Sequence, residues 1–224
     1  MIKLDNVSKS FSNKGQKIKV LSNFNLKIKC GEMISIMGRS GSGKSTLLNI
    51  IAGLEKIDEG QYIFNNENLS SKGPAELAVF RREKIGFILQ NYPLIDTKNV
   101  IENVALPLQY GKASKKEALK QAKKMLANLD ISYLENKSVD TLSGGEAQRV
   151  GIARALIKDP EVILADEPTG SLDEDTEKEI LDLLVHLNNQ GKTMVIVTHD
   201  SSVAEKCKSK YKIENGRCIK GEAN

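Results

Sequence analysis

Eight consecutive residues constrain this chain more than any others: Gly38-Arg39-Ser40-Gly41-Ser42-Gly43-Lys44-Ser45. Before them stands an apolar run of strand length, Met33-Ile34-Ser35-Ile36-Met37. After them Thr46-Leu47-Leu48-Asn49-Ile50-Ile51-Ala52 reads as a helix, with Gly53 just past its end. Strand, glycine-rich turn and helix in that order form a loop that cradles phosphate. The glycines let the turn wrap tightly, so successive backbone N–H groups point inward. The helix N-terminus adds partial positive charge. In such a loop Lys44 reaches the outer phosphates and the Ser45 hydroxyl binds Mg²⁺.

Two further strands lead toward the same chemistry. Val162-Ile163-Leu164-Ala165 is an apolar run bounded by polar residues and reads as a buried parallel strand. It ends in Asp166 and Glu167, which it delivers to the carboxyl edge of the sheet, where ligands of α/β folds bind. Asp166 would hold Mg²⁺ through its water shell, and Glu167 would polarise an attacking water. On its own, an Asp-Glu pair is more often an acidic surface loop. His199 ends another run, Thr193-Met194-Val195-Ile196-Val197. Most histidines at strand ends are merely hydrogen-bonded, and His186 fits that description. His199 differs because its strand should reach the same edge, where the ring could orient Glu167 and contact the terminal phosphate.

The order of motifs resembles the ATPase subunits of ABC transporters along essentially the whole chain. The phosphate loop Gly38–Ser45 is followed by Gln90, the signature Leu142-Ser143-Gly144-Gly145-Glu146 continuing to Arg149, Asp166–Glu167, Ser171-Leu172-Asp173 and His199. Phosphate loops occur in many families, but L-S-G-G-E just upstream of an acidic strand end is close to diagnostic. The resemblance implies an α/β P-loop NTPase core with a mostly parallel sheet, a small antiparallel β sub-domain and a helical sub-domain. The core would be residues 1–90 and 157–224, and the helical insertion 91–156.

It also implies a set of sites. Nucleotide would be held by Gly38, Arg39, Ser40, Gly41, Ser42, Gly43, Lys44, Ser45 and Thr46. Phe11 stands where the family places an aromatic that stacks on adenine, and this reading is favoured over that of a core residue. Mg²⁺ would be held by Ser45, Gln90 and Asp166, and catalysis would fall to Glu167, His199 and Gln90. Each ATP would lie between the phosphate loop of one copy and Ser143, Gly144, Gly145 and Asp173 of the other, making a homodimer on ATP binding. Adjacent glycines allow close backbone approach, and the helix that follows adds donors for the γ-phosphate. Ala147 departs from the family, which often has a polar residue there, and Arg39 occupies a free position of the loop.

Composition fits this picture. At 224 residues the chain can form one α/β domain, or a core with a sub-domain. It has no apolar run long enough to span a membrane, and Met1-Ile2-Lys3-Leu4-Asp5 lacks the sustained apolar region of a signal peptide. Cys30, Cys207 and Cys218 are odd in number and widely spaced, as reduced thiols are. The net charge of +4 is modest, and Lys115-Lys116 and Lys123-Lys124 read as solvated faces. The expected location is cytoplasmic, peripheral on the inner face of the cell membrane, beside a separate integral-membrane permease and with no nucleic acid partner.

Organisation is read more coarsely. Ile2–Leu4, Ile18–Leu21 and Phe24–Ile28 are strand-like. From about Asn91 to Leu156 the pattern turns helical, with Ser114-x-x-Glu117 as a capping box and Ala118, Leu119, Ala122, Met125, Leu126 and Leu129 on one face. A further helix follows Asp173 and runs to about Asn189, with Gly191 as its stop. The wording Asn91-Tyr92-Pro93-Leu94-Ile95-Asp96-Thr97 and Ile101–Leu108 resembles a subgroup serving lipoprotein release, macrolide-type export, cell division and antimicrobial-peptide resistance. Leu94-Ile95-Asp96-Thr97 leans toward peptide resistance. A DNA-repair ATPase would need a coiled-coil insertion, which is missing. A translation-associated relative would carry two ATPase halves. A cluster-assembly ATPase of this size fits the same motifs.

Overall fold

The structure, a computed structural model, describes residues 1–13, 15–90, 93–111 and 113–221. Asn91 and Tyr92, part of the subgroup wording, lie outside the described residues. One sheet is antiparallel: β1 (Ile2–Asn13) lies between β2 (Gln16–Ile28) and β4 (Glu59–Phe64), with the short β5 (Glu67–Asn68) beyond β4. The other sheet has six strands. From edge to edge they are β10 (Arg217–Lys220), β9 (Ser209–Glu214), β3 (Met33–Met37), β8 (Thr193–Val197), β7 (Val162–Asp166) and β6 (Ile85–Leu89). All its pairings are parallel except the β9–β10 hairpin.

The central strands β3, β7 and β8 are apolar nearly throughout because both of their faces are covered. Alternation assigns each residue a side. Ile34, Ile36, Val162, Leu164, Val195 and Val197 face a core shared with the antiparallel sheet and with α1 (Lys44–Ile51). Met33, Ile163, Ala165, Met194 and Ile196 face a second core. That core is filled by α3 (Val100–Gln109), α4 (Lys115–Asn128), α5 (Gly144–Leu156), α6 (Glu174–Asn189) and α7 (Ser201–Glu205). Leu47, Leu48, Ile50 and Ile51 of α1 are all buried. At about 1.5–3 kcal/mol for each such side chain, they anchor the helix whose first turn closes the phosphate loop. Gly53 ends this helix region with φ +66°, as a C-cap glycine does.

Two expectations are revised and one helix is added. Ile18–Leu21 and Phe24–Ile28 are one strand, not two. A register shift against β1 falls between Leu21 and Phe24, where Asn23 has φ 48°, and the extra residue lets Leu21 share the core face with Phe24, Leu26 and Ile28, while Ile18 stays exposed. A helix unread in the sequence, α2 (Pro74–Lys84), precedes β6. It buries only Leu77, so its apolar periodicity is weak. Its signals were Pro74 in the first turn and Glu76, whose carboxylate accepts from the Gly73 N–H at 2.9 Å. The capping box of α4 forms by half. Ser114 Oγ accepts from the Glu117 N–H, but the Glu117 carboxylate takes a bond from Gln121 instead. The apolar face of α4 lies as its spacing predicts, with Ala118, Ala122 and Leu126 buried. Among the described residues no helix is long and apolar enough to cross a membrane.

Candidate active site at the carboxyl edge of the parallel sheet

β3, β8, β7 and β6 are consecutive parallel neighbours, so their C-terminal ends meet at one edge. Ile36 and Asp166 both pair with Val197, and Leu89 pairs with Asp166. The phosphate loop, Asp166–Glu167, His199 and Gln90 are therefore brought to one level.

The loop itself is tight. Gly41 and Gly43 have φ +74° and +102°. A Cβ on Gly43 would lie 2.8 Å from Val20 Cγ1, and one on Gly38 would lie 2.5 Å from Ser42 Oγ. Lys44 arches over the turn, its Nζ donating to the carbonyls of Gly38 at 2.8 Å and Arg39 at 3.3 Å. Arg39 and Ser40 are exposed at the crest. Ser42 Oγ is buried and has no hydrogen-bond partner among the described residues. An unpaired hydroxyl inside a turn of this shape suits an anionic oxygen.

Ser45 Oγ donates to Asp166 Oδ2 at 3.2 Å, joining the loop to the acidic strand end. Burial pushes the Asp166 carboxyl above its ordinary range and the neighbouring Glu167 adds to the rise, while the Ser45 bond and Lys44 oppose it. The donors here are oxygens only, which suits a hard cation such as Mg²⁺. Among the described residues, no group of three or more His, Cys, Asp or Glu side chains is arranged so that it could hold a metal ion by itself. Such a site fits an ion that keeps waters and substrate oxygens in its shell, as Mg²⁺ does.

Glu167 is in the left-handed region, φ 48°, a conformation that costs a non-glycine residue about 1–2 kcal/mol. Several bonds hold it there. Its N–H donates to Val197 O at 2.9 Å, and its carbonyl accepts from the Gly170 N–H at 3.2 Å. Its carboxylate accepts from Thr198 Oγ1 at 3.1 Å and meets His199 Nδ1 at 2.9 Å. Thr198, nearly fully buried, was not anticipated; its place directly before the histidine was the available signal. The bond to Glu167 is the main reason that the His199 pKa is raised, with Glu167's charge second.

The remaining residues fall around this centre. Gln90 leans on the turn after Glu167: a Cβ on Gly170 would lie 3.0 Å from Gln90 Nε2. Phe11 is 40 % exposed and sits opposite Ile18 across the β1–β2 pair, with Lys9 Nζ 5.1 Å from its ring centroid. It is not a core residue. Ser143 caps α5, accepting from the Glu146 N–H at 3.2 Å, while the Ser143 N–H donates to Glu146 Oε2 at 2.9 Å. A Cβ on Gly145 would lie 2.4 Å from Thr176 Cγ2. This glycine is therefore required by the packing of α5 on α6 within the chain, a reason the sequence reading lacked. Asp173 caps α6, accepting from the Thr176 N–H at 3.0 Å and from its Oγ1 at 2.8 Å. Ala147 is buried at 6 % exposure, so it stands inside the chain rather than at an outer contact.

The chain is similar to known proteins along most of its length. The family model described as ABC transporter matches residues 21–170. The macrolide export ATP-binding/permease protein MacB of Hyphomonas neptunium is 38% identical over 224 residues, which are 100% of this chain and 35% of that protein. Its namesake in Campylobacter jejuni is 42% identical over 219 residues, 98% of this chain and 34% of that one. The chain thus spans about a third of the length of the curated relatives it matches. Among solved structures, the ATP-binding cassette MJ0796, as a post-hydrolysis dimer bound to ADP and Pi, superposes with TM-score 0.90. It is 43% identical, and the match covers 100% of this chain and 98% of that one. CbiO1 of Clostridium perfringens, part of the transporter complex cbiONQ, gives TM-score 0.87 at 30% identity, over 98% of this chain and 87% of that one. A family model over most of the chain and end-to-end superposition on solved cassettes lead to one conclusion: the chain belongs to the ABC transporter family.

Proposed function

We propose that the chain binds and hydrolyses ATP to drive a membrane permease, and that two copies close around nucleotide to do so. One observation carries the reading. The phosphate loop is tied to Asp166 through Ser45, and the next residue, Glu167, is tied to His199, all at one sheet edge. In this reading the loop and Lys44 hold the phosphates, and Phe11 stacks on the adenine. Ser45, Gln90 and Asp166 would hold Mg²⁺, which when bound neutralises phosphate charge. Glu167 accepts the proton of the attacking water, and His199 and Thr198 fix its carboxylate. Ser143, Gly144, Gly145 and Asp173 complete the site on the other copy's nucleotide.

That MJ0796 forms a dimer with ADP and Pi supports closure around nucleotide, and the MacB name supports a permease partner of export type. We place the permease on a separate chain, the ATPase on the cytoplasmic face of the membrane, and the helical insertion at 91–156. Coupling follows from a difference in permease affinity for the open and closed dimers. The deciding experiment is phosphate release by the purified chain with Mg-ATP, with EDTA and as Glu167→Gln, alongside recovery of a tagged chain from membranes. Turnover that survives both EDTA and the substitution would refute the reading of the site. Recovery without any integral-membrane protein would refute the permease.

A further inference from the structure

Gln148 lies in the second turn of α5, the helix that begins at the signature glycines, and it is wholly buried. Its Nε2 donates to the carbonyl oxygen of Pro168 at 2.6 Å, while its Oε1 has no partner among the described residues. The amide is therefore held by one polar bond, and that bond ends on the residue directly after Glu167. Pro168 is itself buried and has no N–H, so its carbonyl is its one polar main-chain group. The other main-chain bonds of this turn run to β8, through Val197, or stay within the turn, through Gly170. Among the described residues, Gln148 is thus the polar tie from α5 to the turn that holds Glu167 in its left-handed conformation.

We propose that Gln148 is a positioning residue, linking the signature helix to the Glu167–Pro168 turn so that a shift of α5 displaces the Glu167 carboxylate. The inference rests on the roles given above to Glu167 and to the signature. In a two-copy site, the start of α5 serves one nucleotide and Glu167 serves the other. Gln148 then connects the two sites through a single chain, by one short bond between a rigid helix and a constrained turn. Such a bond is a physical basis for coupling because both ends belong to elements that nucleotide contacts.

The test is Gln148→Met, which is similar in length, lacks the donor and removes the unpaired Oε1. Turnover is measured across ATP concentrations. Dimer formation with Mg-ATP is followed by size exclusion in the Glu167→Gln background, with and without Gln148→Met. The expected result is kcat lowered by up to about a hundredfold, the scale of a reacting group misplaced by about an ångström. KM should stay within about twofold, and the dimer should form at the same ATP concentration, because the signature turn is intact. Thermal melting checks the fold. Should the methionine variant melt early, Gln148→Ala, with room for a water at the Pro168 carbonyl, is assayed at lower temperature for the same split. If Glu167→Gln alone keeps full turnover, the reading of the base fails and this inference with it. If Glu167→Gln behaves as expected but the Gln148 variant keeps wild-type kcat, or loses dimer and kcat together, Gln148 does not position the base and this inference alone falls.

Discussion

His199 Nδ1 lies 2.9 Å from Glu167 Oε1, across the ends of two adjacent strands. The bond has a pH signature. It raises the His199 pKa above the ordinary 6.5, so the charged pair is fully formed below that value. Its stabilisation is lost as pH rises through the raised folded value. The imidazole is 72 % exposed, so solvent screens the pair and the effect is small. His199→Asn should therefore lower the melting temperature at about pH 6 and leave it nearly unchanged at about pH 9. An equal loss at both pH values would separate His199 from Glu167.

Lys44→Ala should abolish tight ATP binding. Its ammonium is the cation placed over the loop carbonyls, and a triphosphate there would lack its main charge-assisted donor. Titration with a fluorescent ATP analogue reads this directly. Unchanged affinity would remove Lys44 from the site.

Phe11→Ala should weaken ATP binding by roughly 1–2 kcal/mol, the scale of one lost base stack. Phe11→Tyr should be nearly neutral. Because the ring is not part of either core, thermal stability should barely move. Wild-type affinity in the alanine variant would assign adenine to another contact.

Glu167→Gln keeps the shape of the side chain but cannot accept a proton. Turnover should fall by ~10²–10⁴, the range for losing a general base. The variant should elute as a dimer with Mg-ATP and as a monomer without nucleotide. A bulky residue at Gly144 should remove that dimer while leaving ATP binding by the single chain largely intact. A monomer in saturating ATP would mean that closure requires the permease.

The parts of this molecule legible in the sequence are those in which residue type and local order coincide. Gly38–Ser45 sits between a strand and a helix, Asp166 ends one strand buried on both faces and His199 follows another. Parallel neighbours then had to bring them together. Less legible were features whose partners are remote or main-chain. Gln148 reaches a carbonyl, and any residue could supply a carbonyl at 168. Gly145 is fixed by Thr176, thirty-one positions on, which no local pattern reveals. The bulge at Asn23 made one strand look like two, because an added residue breaks the alternation that marks a strand. α2 escaped because a helix that buries one leucine has almost no apolar stripe.

Val20 touches the phosphate loop so closely that a single carbon on Gly43 would collide with it. Val20 belongs to β2, two residues beyond Ile18, the cross-strand partner of Phe11. The aromatic that would grip the base and the turn that would grip the phosphates are thus bolted to one strand. With Phe11 as the base contact, this half of the site acts as a fixed ruler, set to the span from adenine to the outer phosphates. A nucleotide shortened by one phosphate would still seat its base and sugar correctly. It would leave nothing at the far mark for a second copy to close upon.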